Sequence, residues 1–345
     1  MKKSVLLNDF NTIEKQLKFE IKNLEKKRFL IVGGTGFIGT YLSEFLNFIN
    51  LKNNLSIDIT VITRKKNISN TEMNEGIHYH KHDIRYPITE NLNNFDFIFH
   101  LASKASPKNY QSNKLDTIES NLFGLKNLLD YSKENTKSKF LYLSSSEVYG
   151  DNIENPEPIS ETTFYGLDPL SPRAAYAESK RISETYIESF SKENSLNFNI
   201  IRPFHTFGPY IDLQDGRVFS DFIKSIIEKN KIFLNSDGTA KRSFCYISDA
   251  IFAYLLIALK GVSGQAYNVG NPDNYISIAE LANLLKENFQ DRNIEIINRE
   301  ESKSKIQNSK VINSRPSVRK LQDLGWNPEV ELIEGFKRTL SFFTT

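Results

Sequence analysis

Tyr176 and Lys180, in "AAYAESKR", form the pair best suited to chemistry in this chain of 345 residues. Four positions apart, they project from one face of a helix, and an ammonium beside a phenol favours the phenolate, so the tyrosine can act as a base near neutral pH. Such a pair alone is common surface decoration. A second stretch gives it meaning: "LYLSSSEVYG" ends an apolar run in Ser144, Ser145 and Ser146, then places the carboxylate of Glu147 where a strand should reach a pocket. The bland alternative is an acid hydrogen-bonded to loop backbone.

A third stretch supplies a partner for the reaction. "RFLIVGGTGFIGTYLSEFL" reads as strand, then Gly33, Gly36 and Gly39, then a helix opened by Phe37 and Ile38. Glycines permit the tight turn and close backbone approach to a pyrophosphate, and the helix start offers N–H groups to the phosphates. A dinucleotide is therefore expected. Enzymes that prefer NAD usually end the second strand in an acid for the ribose hydroxyls. Here "VITRKK" puts Thr63, Arg64 and Lys65 in that place, which suits a 2′-phosphate and predicts NADP over NAD, unless these are solvated loop charges. Asp83 in "HDIRYP" is a candidate adenine contact. In "HYHKH", His78, His80 and His82 share a strand face and could hold zinc; the segment falls where a core strand belongs, so no metal is expected.

These residues need a scaffold, and the chain provides a regular one. Strand-like runs "RFLIVGG", "IDITVIT", "FDFIFHLAS", "SKFLYLSS" and "FNIIRPF" alternate with helical patterns near 37–49, 114–132 and 172–192. That alternation predicts an α/β fold, a doubly wound parallel sheet of the Rossmann type. Ser171 as N-cap and Pro172 at the first helical position would open the helix carrying Tyr176. Residues 28–203 form the dinucleotide-binding domain, with about 244–270 returning to it, and 204–345 are mainly a smaller substrate-binding lobe. Residues 1–27 precede both; Leu6, Phe10, Ile13, Leu17, Ile21 and Leu24 predict an amphipathic helix, with Asn11 and Glu14 as a capping box, packing on the protein's own body or on a second copy rather than on a membrane.

Composition narrows the class. The 44 basic and 42 acidic residues are mixed along the chain, so no nucleic-acid stripe exists. One cysteine, Cys245, excludes an internal disulfide framework, and no apolar run suits export or a membrane span, so a soluble cytoplasmic protein is expected.

With "HLASKASP", Asn121 in "ESNLFGLKNLL", "RPFHTFGP", "GTAKRSFCYISDA" and "AYNVGNP", these motifs resemble, in order from about Arg28 to the C-terminus, the extended short-chain dehydrogenases that modify nucleotide sugars. The resemblance implies a tightly held NAD(P), with Ala102, Tyr176 and Lys180 joining the glycine loop, Arg64 and Asp83 around it. It implies a nucleoside-diphosphate sugar between two lobes and a homodimer built from helices such as 114–132 and 172–192. Ser145 matches the hydroxyl that orients the sugar 4-OH, Tyr176 the base, Lys180 its activator and Arg242 a grip on the diphosphate; Ser146, Arg217, Arg315 and His205 are further substrate contacts. His205 departs from the family's usual Asn.

In that family Tyr176 would remove the 4-OH proton while hydride leaves C4, and the C4 ketone then acidifies the C5 proton. Simple C4 epimerases usually carry a small neutral residue at the position of Glu147, so Glu147 implies chemistry at C5 or C6, by epimerisation or dehydration. Decarboxylation is the alternative: "ASPKNY", "SPRAAYAESKR" and "DGRVFSDFI" resemble UDP-glucuronate decarboxylases. Against it, those enzymes carry a catalytic Arg in Arg-Lys-Pro where "NSRPSV" aligns Ser314, with Arg315 as a substitute only after a shift of one residue. A catalytically silent, cofactor-binding regulatory protein is the alternative of another class; such relatives typically lack the Tyr or the Lys.

Overall fold

The computed structural model describes residues 2–65, 73, 75–90, 92, 94–103, 105–133, 137–151, 155–171, 173–299 and 313–344. In chain order the elements are α1 Lys2–Gln16, β1 Arg28–Val32, α2 Phe37–Asn53, β2 Asp58–Thr63, β3 Ile77–Lys81, β4 Phe97–His100, α3 Pro107–Ser112, α4 Lys114–Ser132, β5 Lys139–Leu143, α5 Ala174–Asn194, β6 Asn197–Pro203 and β7 His205–Phe207. They continue as α6 Val218–Lys229, β8 Lys231–Leu234, β9 Lys241–Tyr246, α7 Ile247–Lys260, β10 Gln265–Val269, β11 Tyr275–Ser277, α8 Ile278–Asn288, β12 Glu295–Asn298, β13 Asn313–Ser314, α9 Arg319–Gln322 and α10 Leu332–Phe343.

Seven strands make one parallel sheet in the order β10-β6-β5-β4-β1-β2-β3. Successive side chains on a strand alternate, so Phe29 and Ile31 of β1 face one side and Leu30 and Val32 the other; all four are buried. The first side is covered by α1, α2 and α7 through Phe10, Phe45 and Ile251. The second is covered by α4 and α5 through Leu125, Leu128 and Ile187. Helices on both sides make the sheet doubly wound, and the order reverses between β1 and β4, where such sheets open a ligand crevice. Over that crevice lies the smaller lobe, in which β9 pairs with β7, β11 and β13, and β8 pairs with β12.

The first helix docks on this body. Phe10 sets its ring edge-on to Tyr41, centroids 5.2 Å apart, and Asp9 is fully buried beside it. The hydroxyls of Tyr41 and Tyr246 donate to Asp9 at 3.0 and 2.7 Å, and Arg338 Nη1 donates at 2.9 Å. Asn11 and Glu14 form no capping box, because the helix already begins at Lys2; Glu14 instead accepts from Lys52 and Asn53. The helix bearing Tyr176 also starts later than Ser171 predicts: Arg173 holds the N-cap position. Pro172 lies outside the described residues.

Candidate active site

The glycine loop closes the crevice at the sheet's switch point. Gly33 has φ +86°, and a Cβ there would stand 2.7 Å from the backbone nitrogen of Ala102, so only glycine fits. At Gly39 a Cβ would stand 2.5 Å from the Gly33 carbonyl oxygen, which is why α2 can pack so close to the loop. Gly36 is the N-cap of α2 and has no side chain to cap it, so no capping side chain screens the N–H groups of that first turn. Gly36, Phe37 and Ile38 line the cleft, with Arg64 and Lys65 on its wall. Backbone donors at a helix start beside two cations fit the phosphates of a dinucleotide. Asp83 is held by Arg85, which donates to its carboxylate at 3.1 and 2.7 Å and, with the charge of Arg64, keeps it below the usual carboxylate range.

The same cleft, about 1630 Å³, receives Ser145, Ser146, Glu147, Tyr176 and Lys180. Ser145 ends the extended stretch after β5 and accepts from the Glu147 amide at 3.2 Å, starting a short 3-10 turn over 146–149. The hydroxyls of Ser145 and Ser103 lie close enough to the Tyr176 phenol to favour its charged form. Ser103 in turn donates to Asn121 at 2.8 Å, Asn121 donates to Ser179, and Ser179 donates to the Tyr176 carbonyl. This chain of bonds ties α4, through Asn121, to the turn of α5 that carries Tyr176.

Burial pushes the Tyr176 phenol up to about 12, with the Glu147 charge adding to the rise and Ser145, Arg217 and Ser103 opposing it. Burial also pulls Lys180 down to about 7. The ammonium stands 6.0 Å from the centre of the Tyr176 ring and donates to the Leu143 carbonyl at 2.7 Å. Desolvation therefore outweighs the attraction that i, i+4 spacing alone suggests.

On the substrate side, Arg173, His205, Arg217, Arg242 and Ser314 line the cleft. Arg173 pairs with Glu147 and lies 3.7 Å from Asp151. Arg217 donates to Asp215 at 2.6 Å. Arg242 is lowered to about 10 by burial, against the pull of Glu147. His205 keeps Nδ1 without a hydrogen-bond partner, and burial beside Arg242, Arg217 and Arg173 holds its imidazole neutral, well below the usual range. Arg315 is not brought to the cleft. It follows Ser314 where alternation turns it outward, and its guanidinium donates to the Pro272 carbonyl at 3.3 Å and lies over the Tyr275 ring.

Sequence reasoning missed Ser103 and Arg173 as site residues. "HLAS" and "SPRAAY" contain them, but nothing local says that they face the cleft. His80 lies beside Glu90, His82 Nε2 lies 3.0 Å from the Tyr86 carbonyl oxygen, and among the described residues no group of three or more metal ligands gathers.

A parallel sheet with a glycine loop at its switch point and a Ser-Tyr-Lys constellation beside it defines an NAD(P)-dependent enzyme of the nucleotide-sugar type. The profile of the "NAD dependent epimerase/dehydratase family" matches residues 29–270, and the chain belongs to that family. It is 33% identical over 320 residues to UDP-glucuronic acid decarboxylase 1 of Xenopus tropicalis, covering 92% of this chain and 72% of the relative. UDP-glucuronic acid decarboxylase 3 of Arabidopsis thaliana is 34% identical over 310 residues, covering 89% and 86%. Among solved structures, the UDP-glucose 4-epimerase of Thermotoga maritima with UDP-glucose superposes with a TM-score of 0.77 at 25% identity, covering 92% and 98%. No helix among the described residues is long and apolar enough to cross a membrane.

Proposed function

We propose that the protein transiently oxidises C4 of a nucleoside-diphosphate sugar and then acts at C5 or C6 through Glu147, as an epimerase or dehydratase. The observation that carries this is the placement of Tyr176, Ser145 and Glu147 in one cleft with the glycine loop. When bound, the nicotinamide supplies the hydride acceptor and returns the hydride. Gly33, Gly36, Phe37, Ile38 and Gly39 hold its diphosphate, and Arg64 selects NADP by taking the 2′-phosphate. Ser145 orients the 4-OH and Tyr176 takes its proton, while the Lys180 charge favours the phenolate. Arg242 and Arg217 take the sugar's diphosphate, and Ser146 and His205 contact the sugar. Once C4 is a ketone the C5 proton is acidic, and Glu147 is the group that receives it.

Decarboxylation is favoured by a separate observation, the identity of about one third to UDP-glucuronic acid decarboxylases. Ser314 weighs against it: the residue facing the cleft there is a hydroxyl, and the guanidinium of Arg315 is turned away. The deciding experiment is incubation with a panel of UDP, GDP, CDP and dTDP sugars, read by mass for loss of water, loss of carbon dioxide or no change, and by absorbance for reduced nicotinamide. No spectral change with any sugar would sink the C4 oxidation.

A homodimer in the cytoplasm completes the proposal. Leu115 and Phe123 of α4 and Ile182 and Tyr186 of α5 are exposed apolar side chains on neighbouring helices, a face that a second copy would bury. The single buried cysteine suits a reducing compartment.

A further inference from the structure

Arg173 touches the residue on which the second step turns. It is the N-cap of α5, three residues before Tyr176, and its side chain is 14% exposed. From there its guanidinium reaches back 26 residues to the Glu147 carboxylate, with Asp151 on its other nitrogen at 3.7 Å. One helical turn thus carries both the base of the first step and the anchor of the second carboxylate.

We propose that Arg173 is a positioning residue that fixes Glu147 relative to Tyr176, so that the carboxylate faces C5 of the sugar whose C4 has just been oxidised. This rests on the C4-oxidation mechanism above. Glu147 sits on a short 3-10 turn and lines the wide cleft with a side chain 29% exposed. A planar guanidinium restricts a carboxylate to few orientations, which a lone backbone turn cannot do. Arg242 also attracts Glu147 from across the cleft. Without Arg173 that attraction draws the carboxylate toward the diphosphate side and away from C5. Displacements of about 1 Å in a reacting group cost on the order of 100-fold in rate.

The test compares wild type, R173Q and R173K with the sugar identified by the panel, following reduced nicotinamide by absorbance and product by mass. For R173Q the expected result is accumulation of reduced nicotinamide, product formation about 100-fold slower and KM little changed. R173K, which keeps the charge but not the fork, should recover roughly a tenth of the wild-type rate. If R173Q partitions between the two steps as wild type does, or if oxidation and product formation fall together in both variants, the positioning role is overturned. If wild type itself reduces no nicotinamide with any sugar, the C4 oxidation fails first and takes this role with it.

Discussion

The Lys180 ammonium donates to the Leu143 carbonyl at 2.7 Å, tying the middle of α5 to the end of β5 directly beneath Tyr176. Phenol and ammonium therefore share one rigid seat, and in the proposed mechanism the phenolate form of Tyr176 accepts the 4-OH proton. Tyr176→Phe should abolish both nicotinamide reduction and product formation, a fall of about 100-fold or more. Turnover near the wild-type rate in that variant would remove Tyr176 from the reaction.

In the proposed mechanism Glu147 acts in the later step. In Glu147→Gln, C4 oxidation should persist, seen as reduced nicotinamide after sugar is added, while product falls by about 100-fold. Unchanged product formation would take the carboxylate out of the mechanism.

The proposed choice of NADP rests on Arg64, just past the end of β2. Arg64→Ala should weaken NADP binding to stripped protein by about 10-fold, the loss of one exposed charge-assisted contact, and leave NAD binding as it was. Titration calorimetry with both cofactors measures this. A wild-type preference for NAD would refute the assignment.

The first helix offers a pH test. Burial raises Asp9 from 3.8 to about 6, opposed by Tyr246, Arg338 and Tyr41. Between roughly pH 4 and 6 the folded chain keeps a proton that the unfolded chain has released, so this stabilisation is complete below 3.8 and is lost as pH rises through about 6. The melting-temperature advantage of wild type over Asp9→Asn should therefore be larger at the acid end of that window than at neutral pH. An equal gap at both ends would mean that Asp9 holds its proton no more tightly in the folded chain than in the unfolded one.

Association has its own variant. Phe123→Glu combined with Ile182→Glu should convert a dimer to a monomer in light scattering, since two charges would replace the exposed apolar side chains of α4 and α5. A wild-type monomer, or a double variant that remains dimeric, would rule out this face.

Strands, glycine loop and the Tyr176 helix were legible because each obeys a short period or a fixed local spacing. The role of Arg173 was not, because its partner is 26 residues away and the N-cap place was assigned to Ser171. Asp9 was invisible for the same reason on a larger scale: an acid within an apolar stripe looks like a solvent-facing interruption until Tyr41, Tyr246 and Arg338 arrive from 32, 237 and 329 residues away. Arg315 read as a ligand because its type suits an anion, whereas pairing sets its neighbour in the cleft: β13 runs beside β9 with Ser314 level with Arg242, and Arg315, past the strand's end, places its guanidinium on the Pro272 carbonyl.

The clasp between Asp9 and Arg338 also couples two helices far apart in the chain: the acid of α1 lacks its cation until α10 has docked. Lys2, Lys3 and Leu6 border the same cleft as the glycine loop. One wall of the ligand chamber thus depends on a contact between distant helices, and a chain with α10 undocked would hold its ligand in a vessel with a loose side.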